Sequence, residues 1–379
     1  MIFQWQLFAL LIVSAMIALM MGQRVQVNVY GEKQIHYTWL PVLILTIPMI
    51  YMAGTRSKTV LEFGDTSAYL ESFKNATTSL TELFASFTEE GKDRGFLIFT
   101  TVVKSIIGNR EIVYFTLIAA ICVLCVMVTY KNYSCNFIIS AFLFIASGDY
   151  VQWTFNGIRQ FIPVAVLFAC IGLIVKKKYV PLIILILILS TIHATALLML
   201  PMIFIVQGKA WNKKTLLFAA AIILSIAFVD QFTNLITNFM ENTQYSGEVD
   251  QYLSTEGTSI QRVFVYSIPA VLSLVFKKYI DKAENPIINL AANMSLIAAF
   301  SYALSGFTSG LFLGRIPIYF SLYNYILLPW IVERVFTKRS AVVIYISMIC
   351  FYLFYYYYQI HITWGLQIPA HLTTHSAKS

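Results

Sequence analysis

Six of the nine arginines in this 379-residue chain, Arg56, Arg94, Arg110, Arg159, Arg262 and Arg315, lie away from its lysine-rich loops. A guanidinium fork binds two phosphate oxygens at once, which a lysine ammonium cannot do. Two of them open apolar runs with a proline close behind, Asn156-Gly-Ile-Arg159-Gln160 before Pro163, and Gly314-Arg315-Ile-Pro317. Helix starts of this kind add backbone N–H groups and a positive dipole end to an anion site. Arg159 and Arg315, with Arg56 and Arg262, therefore describe a site for a phosphate or diphosphate. A snorkelling anchor is the bland alternative for any one of them, but lysine would serve there equally well.

Three groups near these arginines could move a proton: Asp65, Asp149 and His193. Histidine titrates near neutrality and can accept a hydroxyl proton, although one flanked by Thr191 and Thr195 could equally bond the helix backbone. Asp65, in Phe63-Gly64-Asp65-Thr66, is also placed to cap a helix over 66–73. Asp149 and Trp153 precede Arg159, so these two, Gln160 and Tyr319 are the residues that would meet the rest of a substrate. His36, His361, His371 and His375 lack metal-site spacing, and no Asp-rich cluster or glycine-rich phosphate loop is present, so neither a metal nor a cofactor is expected.

The elements that must hold these residues are membrane helices. A chain with 59% hydrophobic and 12% charged residues and a mean hydropathy of +0.73 is not a water-soluble domain. Since a bilayer core needs about 20 apolar residues per helix, spans are expected near 2–21, 37–53, 112–129, 135–154, 158–175, 214–234, 262–276, 286–305, 311–332 and 340–360. The fold class is an all-α polytopic membrane protein in one membrane domain, residues 1–379, of about 11–13 transmembrane or re-entrant helices. Residues 2–21 read as a retained helix rather than a signal peptide, because Met1–Leu10 has no basic residue.

Sidedness follows from the basic loops, which accumulate on the cytoplasmic side. Lys131, Lys176–Lys178, Lys209/Lys213/Lys214, Lys277/Lys278/Lys282 and Arg334/Lys338/Arg339 are placed inside, so both termini and the six arginines fall outside. The net charge of +8 then reflects topology rather than nucleic-acid binding. To keep Lys209–Lys214 inside, the apolar stretch 180–207 is expected to be a hairpin turning near His193, with a single long tilted span as the alternative. Two external segments stand out. Residues 54–111 contain a short apolar piece, Gly95–Gly108, suited to the interface or to re-entry, and 231–261 form an acidic loop of lid type. The five cysteines lie in or beside spans, so Cys122 and Cys125 are read as packing residues.

At these residues a resemblance emerges. Ala53-Gly54-Thr55-Arg56, Gly64-Asp65 with Tyr69, Gly95-Phe96, Gly157-Ile158-Arg159-Gln160, His193 with Thr195-Ala196-Leu197-Leu198, and Arg315 with Tyr319-Phe320 together resemble the EpsG family of Wzy-type polysaccharide polymerases. The likeness runs from about residue 50 to 330. Where that family commonly has an acidic residue and a proline before Gly-Phe, this chain has Asp93-Arg94. The resemblance implies a glycosyltransferase of GT-C-like architecture in the bacterial cytoplasmic membrane, its active site facing outside. It implies a reaction that moves a growing glycan from undecaprenyl diphosphate onto the non-reducing end of a lipid-linked repeat unit. In that reaction the four arginines would hold the diphosphate and His193 or Asp65 would be the base. Expected partners are the undecaprenyl-diphosphate-linked oligosaccharide, the bilayer, a flippase and chain-length regulators. A lipid-linked oligosaccharide flippase, a glycan ligase and a membrane O-acyltransferase are the competing classes.

Overall fold

A computed structural model describes residues 2–21, 24–27, 33–56, 65–87, 93–241, 256–310 and 313–365. The described chain is helical apart from one antiparallel ribbon, Arg24–Val27 paired with Lys33–His36. The all-α polytopic class holds, with that ribbon as its small exception.

Among the described residues, three helices are long and apolar enough to cross a membrane: Glu111–Tyr133, Pro286–Phe307 and Lys338–Thr363. Three bent pairs raise the number to six if each pair is one span, and five shorter apolar helices accompany them. Several spans expected to be continuous are therefore broken. The 135–154 span is Phe137–Ala146 plus Asp149–Phe155, bent by 64°, and the 214–234 span is Lys213–Ala227 plus Val229–Leu235, bent by 101°. The first break lies at Gly148, whose φ of +84° a helix cannot contain. Non-helical backbone at membrane depth survives where protein satisfies its polar groups, and here the Asp149 N–H donates to Ser147 Oγ.

The central element is Pro286–Phe307, buried on nearly every face. Asn285 caps its start by accepting from the Ile287 and Ile288 N–H groups, and proline occupies the first turn. Ala291, Ala292, Ser295, Ala298, Ala299, Ser301 and Ser305 keep its surface low, which lets neighbouring backbones approach closely. The helices Ile260–Val275, Lys213–Ala227 and Asn324–Val335 pack around it. By contrast, Lys338–Thr363 buries only 22% of its apolar window.

The basic segments gather at one end of the bundle. Asn136, just past Lys131, donates to Glu333, Phe336 rings against Phe276, and Lys177, Lys209 and Asp281 share a cavity at the Pro286 end of the central helix. The opposite end holds Ser305, against which Thr258 and Gly314 pack, and so leads to Arg315. The 180–207 stretch is a helix from Tyr179 to Ile192, an extended His193 at φ −153°, a 3-10 turn Ala194–Leu198, and a helix Met199–Ile205. Fourteen residues of helix rise about 21 Å, so His193 returns from the lysine end to the arginine end. Within 54–111, residues 57–64 and 88–92 lie outside the described residues. The acidic 231–261 segment begins as helix, to Glu241, and residues 242–255 lie outside the described residues.

Candidate functional site

Arg159 is the second residue of the helix Ile158–Ala169, whose cap Gly157 has φ +66°. Only glycine adopts this left-handed turn without strain, and it separates Trp153, packed inward, from Arg159, facing outward. The Arg159 Nη1 donates to Asp93 Oδ2 at 2.9 Å, and its guanidinium lies over the rings of Tyr69 (5.5 Å) and Phe96 (6.0 Å). Tyr69 also hydrogen-bonds Arg159 and sits within electrostatic reach of Asp65 and Arg315. Asp93 starts the helix Arg94–Ile107 in a left-handed conformation, φ +49°. That helix lies along Tyr179–Ile192 with almost no gap: a Cβ on Gly95 would meet Thr191 Oγ1 at 2.1 Å and its backbone carbon at 2.7 Å.

Arg315 ends a 3-10 turn, Leu313–Arg315, and its Nη2 stands 3.7 Å from Asp65 Oδ2. The two ion pairs differ in kind. Asp93 is 6% exposed against Arg159, whereas Asp65 is 39% exposed against Arg315. The Asp65 side chain makes no cap hydrogen bond to the helix Thr66–Asn75 that it precedes, so capping is not its work. Its backbone N–H instead donates to Asn156 Oδ1, which ties it to the turn before Arg159.

His193 completes the group, within electrostatic reach of both Arg159 and Arg315. Its Nδ1 lies 2.8 Å from Thr195 Oγ1, it also accepts from the Thr195 N–H, and Thr195 Oγ1 lies 3.1 Å from the Tyr319 hydroxyl. A backbone N–H pointing at Nδ1 favours the tautomer with its proton on Nε2.

The structure thus brings together Arg159, Arg315, Asp65 and His193, and adds Asp93, Tyr69 and Thr195. Asp93 is not among the site residues expected from the sequence because Arg94 stands where the EpsG-like pattern has a proline; its place just before Gly95-Phe96 was the available signal. Two of the four expected diphosphate arginines are engaged by other partners. Arg56 donates to the Ala53 carbonyl, Thr66 Oγ1 and the Thr154 carbonyl, with Phe115 beneath its guanidinium at 4.2 Å. It latches Asp65's helix to the 149–155 helix. Arg262 lies over Tyr266 and Tyr302 and faces Asp149.

The four residues expected to meet glycan are all buried, Gln160, Asp149, Trp153 and Tyr319 each at 3% exposure or less. Gln160 Nε2 donates to the Arg315 carbonyl at 2.9 Å, so it joins the two arginine segments. Asp149 accepts from Tyr266 and Tyr325, one on each carboxylate oxygen, at 2.5 and 2.6 Å. The physical reason is that a carboxylate inside a helical bundle is held by donors on neighbouring helices, and these bonds leave it no open face.

Compared with known proteins, the chain matches the sequence model of the EpsG family over residues 39–367. No curated protein and no solved structure matched it.

Proposed function

The chain belongs to the EpsG family, the family of Wzy-type polysaccharide polymerases, and from that premise we propose how its arginine end carries out glycosyl transfer. The coarse activity is that of a multi-pass membrane polysaccharide polymerase acting on lipid-linked oligosaccharide. Its finer form, in our reading, is transfer of the growing glycan from undecaprenyl diphosphate to the non-reducing end of the next lipid-linked unit, at the outer leaflet of the bacterial cytoplasmic membrane.

The supporting observation is the convergence of Arg159, Arg315, Asp65, Tyr69 and His193 on one patch built from four separate segments. The donor diphosphate displaces the looser carboxylate, Asp65, from Arg315, while Asp93 keeps Arg159 aimed. An acceptor hydroxyl oxygen attacks the anomeric carbon and passes its proton to the freed Asp65. The bond from that carbon to diphosphate breaks, and undecaprenyl diphosphate leaves with the electron pair and gains negative charge. Arg159 and Arg315 stabilise that charge as it develops, and His193 donates from Nε2 to a phosphate or hydroxyl oxygen. Charge compensation by two guanidiniums is why neither a metal nor a nucleotide sugar enters this scheme.

A flippase would also need cations for a diphosphate. Here Arg159 and Arg315 converge at one end, and the interior Asp149 is closed off by Tyr266 and Tyr325 instead of lining a path between membrane faces, which favours the polymerase. The test is a polymer ladder from cells whose own copy is replaced by wild type, Arg159→Ala, Arg315→Ala or His193→Ala. Ladder loss with single units still reaching the outer-leaflet lipid supports polymerisation. Single units trapped on the cytoplasmic side identify a transporter.

A further inference from the structure

A cavity lies far from the arginine site. It has a volume of about 360 Å³ and is lined by Lys177, Gln207, Lys209, Asp281, Glu284 and Asn289, among others. It sits at the Pro286 end of the central helix, whose 22 residues rise about 33 Å, while Arg315 packs near the other end. This size lies within the range of small-molecule sites, about 300–1,000 Å³, and excludes a macromolecular occupant.

Three features mark the cavity as built. First, its lining takes opposite charges from opposite segments: Lys177 and Lys209 come from the turns after Ile171–Val175 and Met199–Ile205, Asp281 and Glu284 from the segment entering the central helix. Among the described residues Lys177, Lys209 and Glu284 form no ion pair, while Asp281 pairs with Lys277 through Oδ2 and keeps a buried Oδ1 without a hydrogen-bond partner. Second, of the four described non-glycine residues with left-handed backbone, Asp93 lies in the arginine site, two line this cavity, Lys177 (φ +54°) and Glu284 (φ +48°), and Trp211 (φ +59°) lies two residues beyond the lining residue Lys209. Such conformations cost of order 1–3 kcal/mol each and collect at functional sites. Third, the loop is clamped: Asn289 Oδ1 accepts from the Ala210 N–H, Asn293 Oδ1 from the Trp211 N–H, and Asn293 Nδ2 donates to the Val206 and Lys209 carbonyls.

A ligand of one charge sign would be attracted by one pair and repelled by the other. We propose that this cavity binds a phosphate joined to an ammonium, the phosphate against Lys177 and Lys209 and the ammonium against Asp281 and Glu284. A phosphatidylethanolamine head and free phosphoethanolamine share that chemistry. The position at helix ends, level with the basic loops, assigns the lipid as the source.

The test is native mass spectrometry of the full chain released from nanodiscs of equimolar phosphatidylethanolamine and phosphatidylglycerol. Wild type should retain the ethanolamine lipid about fivefold over the glycerol lipid, which is ~1 kcal/mol at 1.4 kcal/mol per decade. Lys209→Gln and Glu284→Gln should each erase the preference, and Lys209→Arg should keep it, which shows that a loss is not misfolding. Equal retention by wild type with no effect of added soluble phosphoethanolamine on either lipid, or a preference that survives both Gln variants, overturns the site. Displacement by soluble phosphoethanolamine without any lipid preference keeps the ligand chemistry and overturns the lipid source.

Discussion

At the scale of single residues, the two ion pairs of the arginine end make different predictions because they differ in burial. Replacing Arg159 or Arg315 by Lys keeps the charge and loses the fork, so polymerisation in membranes given lipid-linked donor and acceptor should slow about 10²-fold or more. Normal rates in both would remove the bidentate role. Asp65→Asn should lower turnover about 10²–10⁴-fold, the usual worth of a positioned base. Asp93→Asn should chiefly weaken the apparent affinity for donor, since Asp93 acts through Arg159. His193→Gln retains an N–H donor and should keep activity within about tenfold of wild type. A fall as deep as that of Asp65→Asn would make the imidazole the base instead.

At the scale of elements, the site depends on helix breaks. Gly157→Ala puts a Cβ on a residue at φ +66° and brings it 3.2 Å from the Trp153 ring. The strain is about 1–2 kcal/mol, relieved by turning the Arg159 helix start, so activity should fall further than the melting temperature suggests. The carboxylate of Asp149 binds helices 149–155, 260–275 and 324–335 into one block through Tyr266 and Tyr325. Tyr325→Phe leaves one buried carboxyl oxygen without its donor and should lower stability by about 1–3 kcal/mol. Thermal unfolding of the detergent-solubilised protein reads this directly, and an unchanged midpoint would show that Asp149 is not a structural tie.

At the scale of the whole molecule, the lysine-rich loops and the arginine site occupy opposite ends of the bundle, joined by the central helix and by the pair of helices that carry Arg159 and His193. If the lysine end is cytoplasmic, a cysteine-free variant with a single cysteine at Lys178 should resist membrane-impermeant thiol reagents in intact cells, and one at Lys74 should react. The reverse pattern would invert the protein and place its chemistry inside the cell.

Apolar run length and basic-loop position are local properties, so the sequence alone determined the membrane class, the positions of the apolar segments and the grouping of lysine loops. Arg159 and Arg315, opening apolar runs, and His193, inside one, stood out for the same reason, that a polar group there needs a purpose, whereas Asp65 stood out by its place in Gly64-Asp65. Continuity of the spans was not legible, because a broken helix and a straight one share the same hydropathy. Nor was the division of labour among the polar residues. Asp149, Gln160, Trp153 and Tyr319 have the composition of a substrate wall, yet helices distant in sequence close over them. Arg56 gives its donors to carbonyls as far away as Thr154, and Asp93 acquires its role only when the 94–107 helix lies beside 179–192. Burial and pairing depend on which helices become neighbours, and that is settled by close packing across the bundle, here through Gly95, Gln160 and the small residues of the central helix.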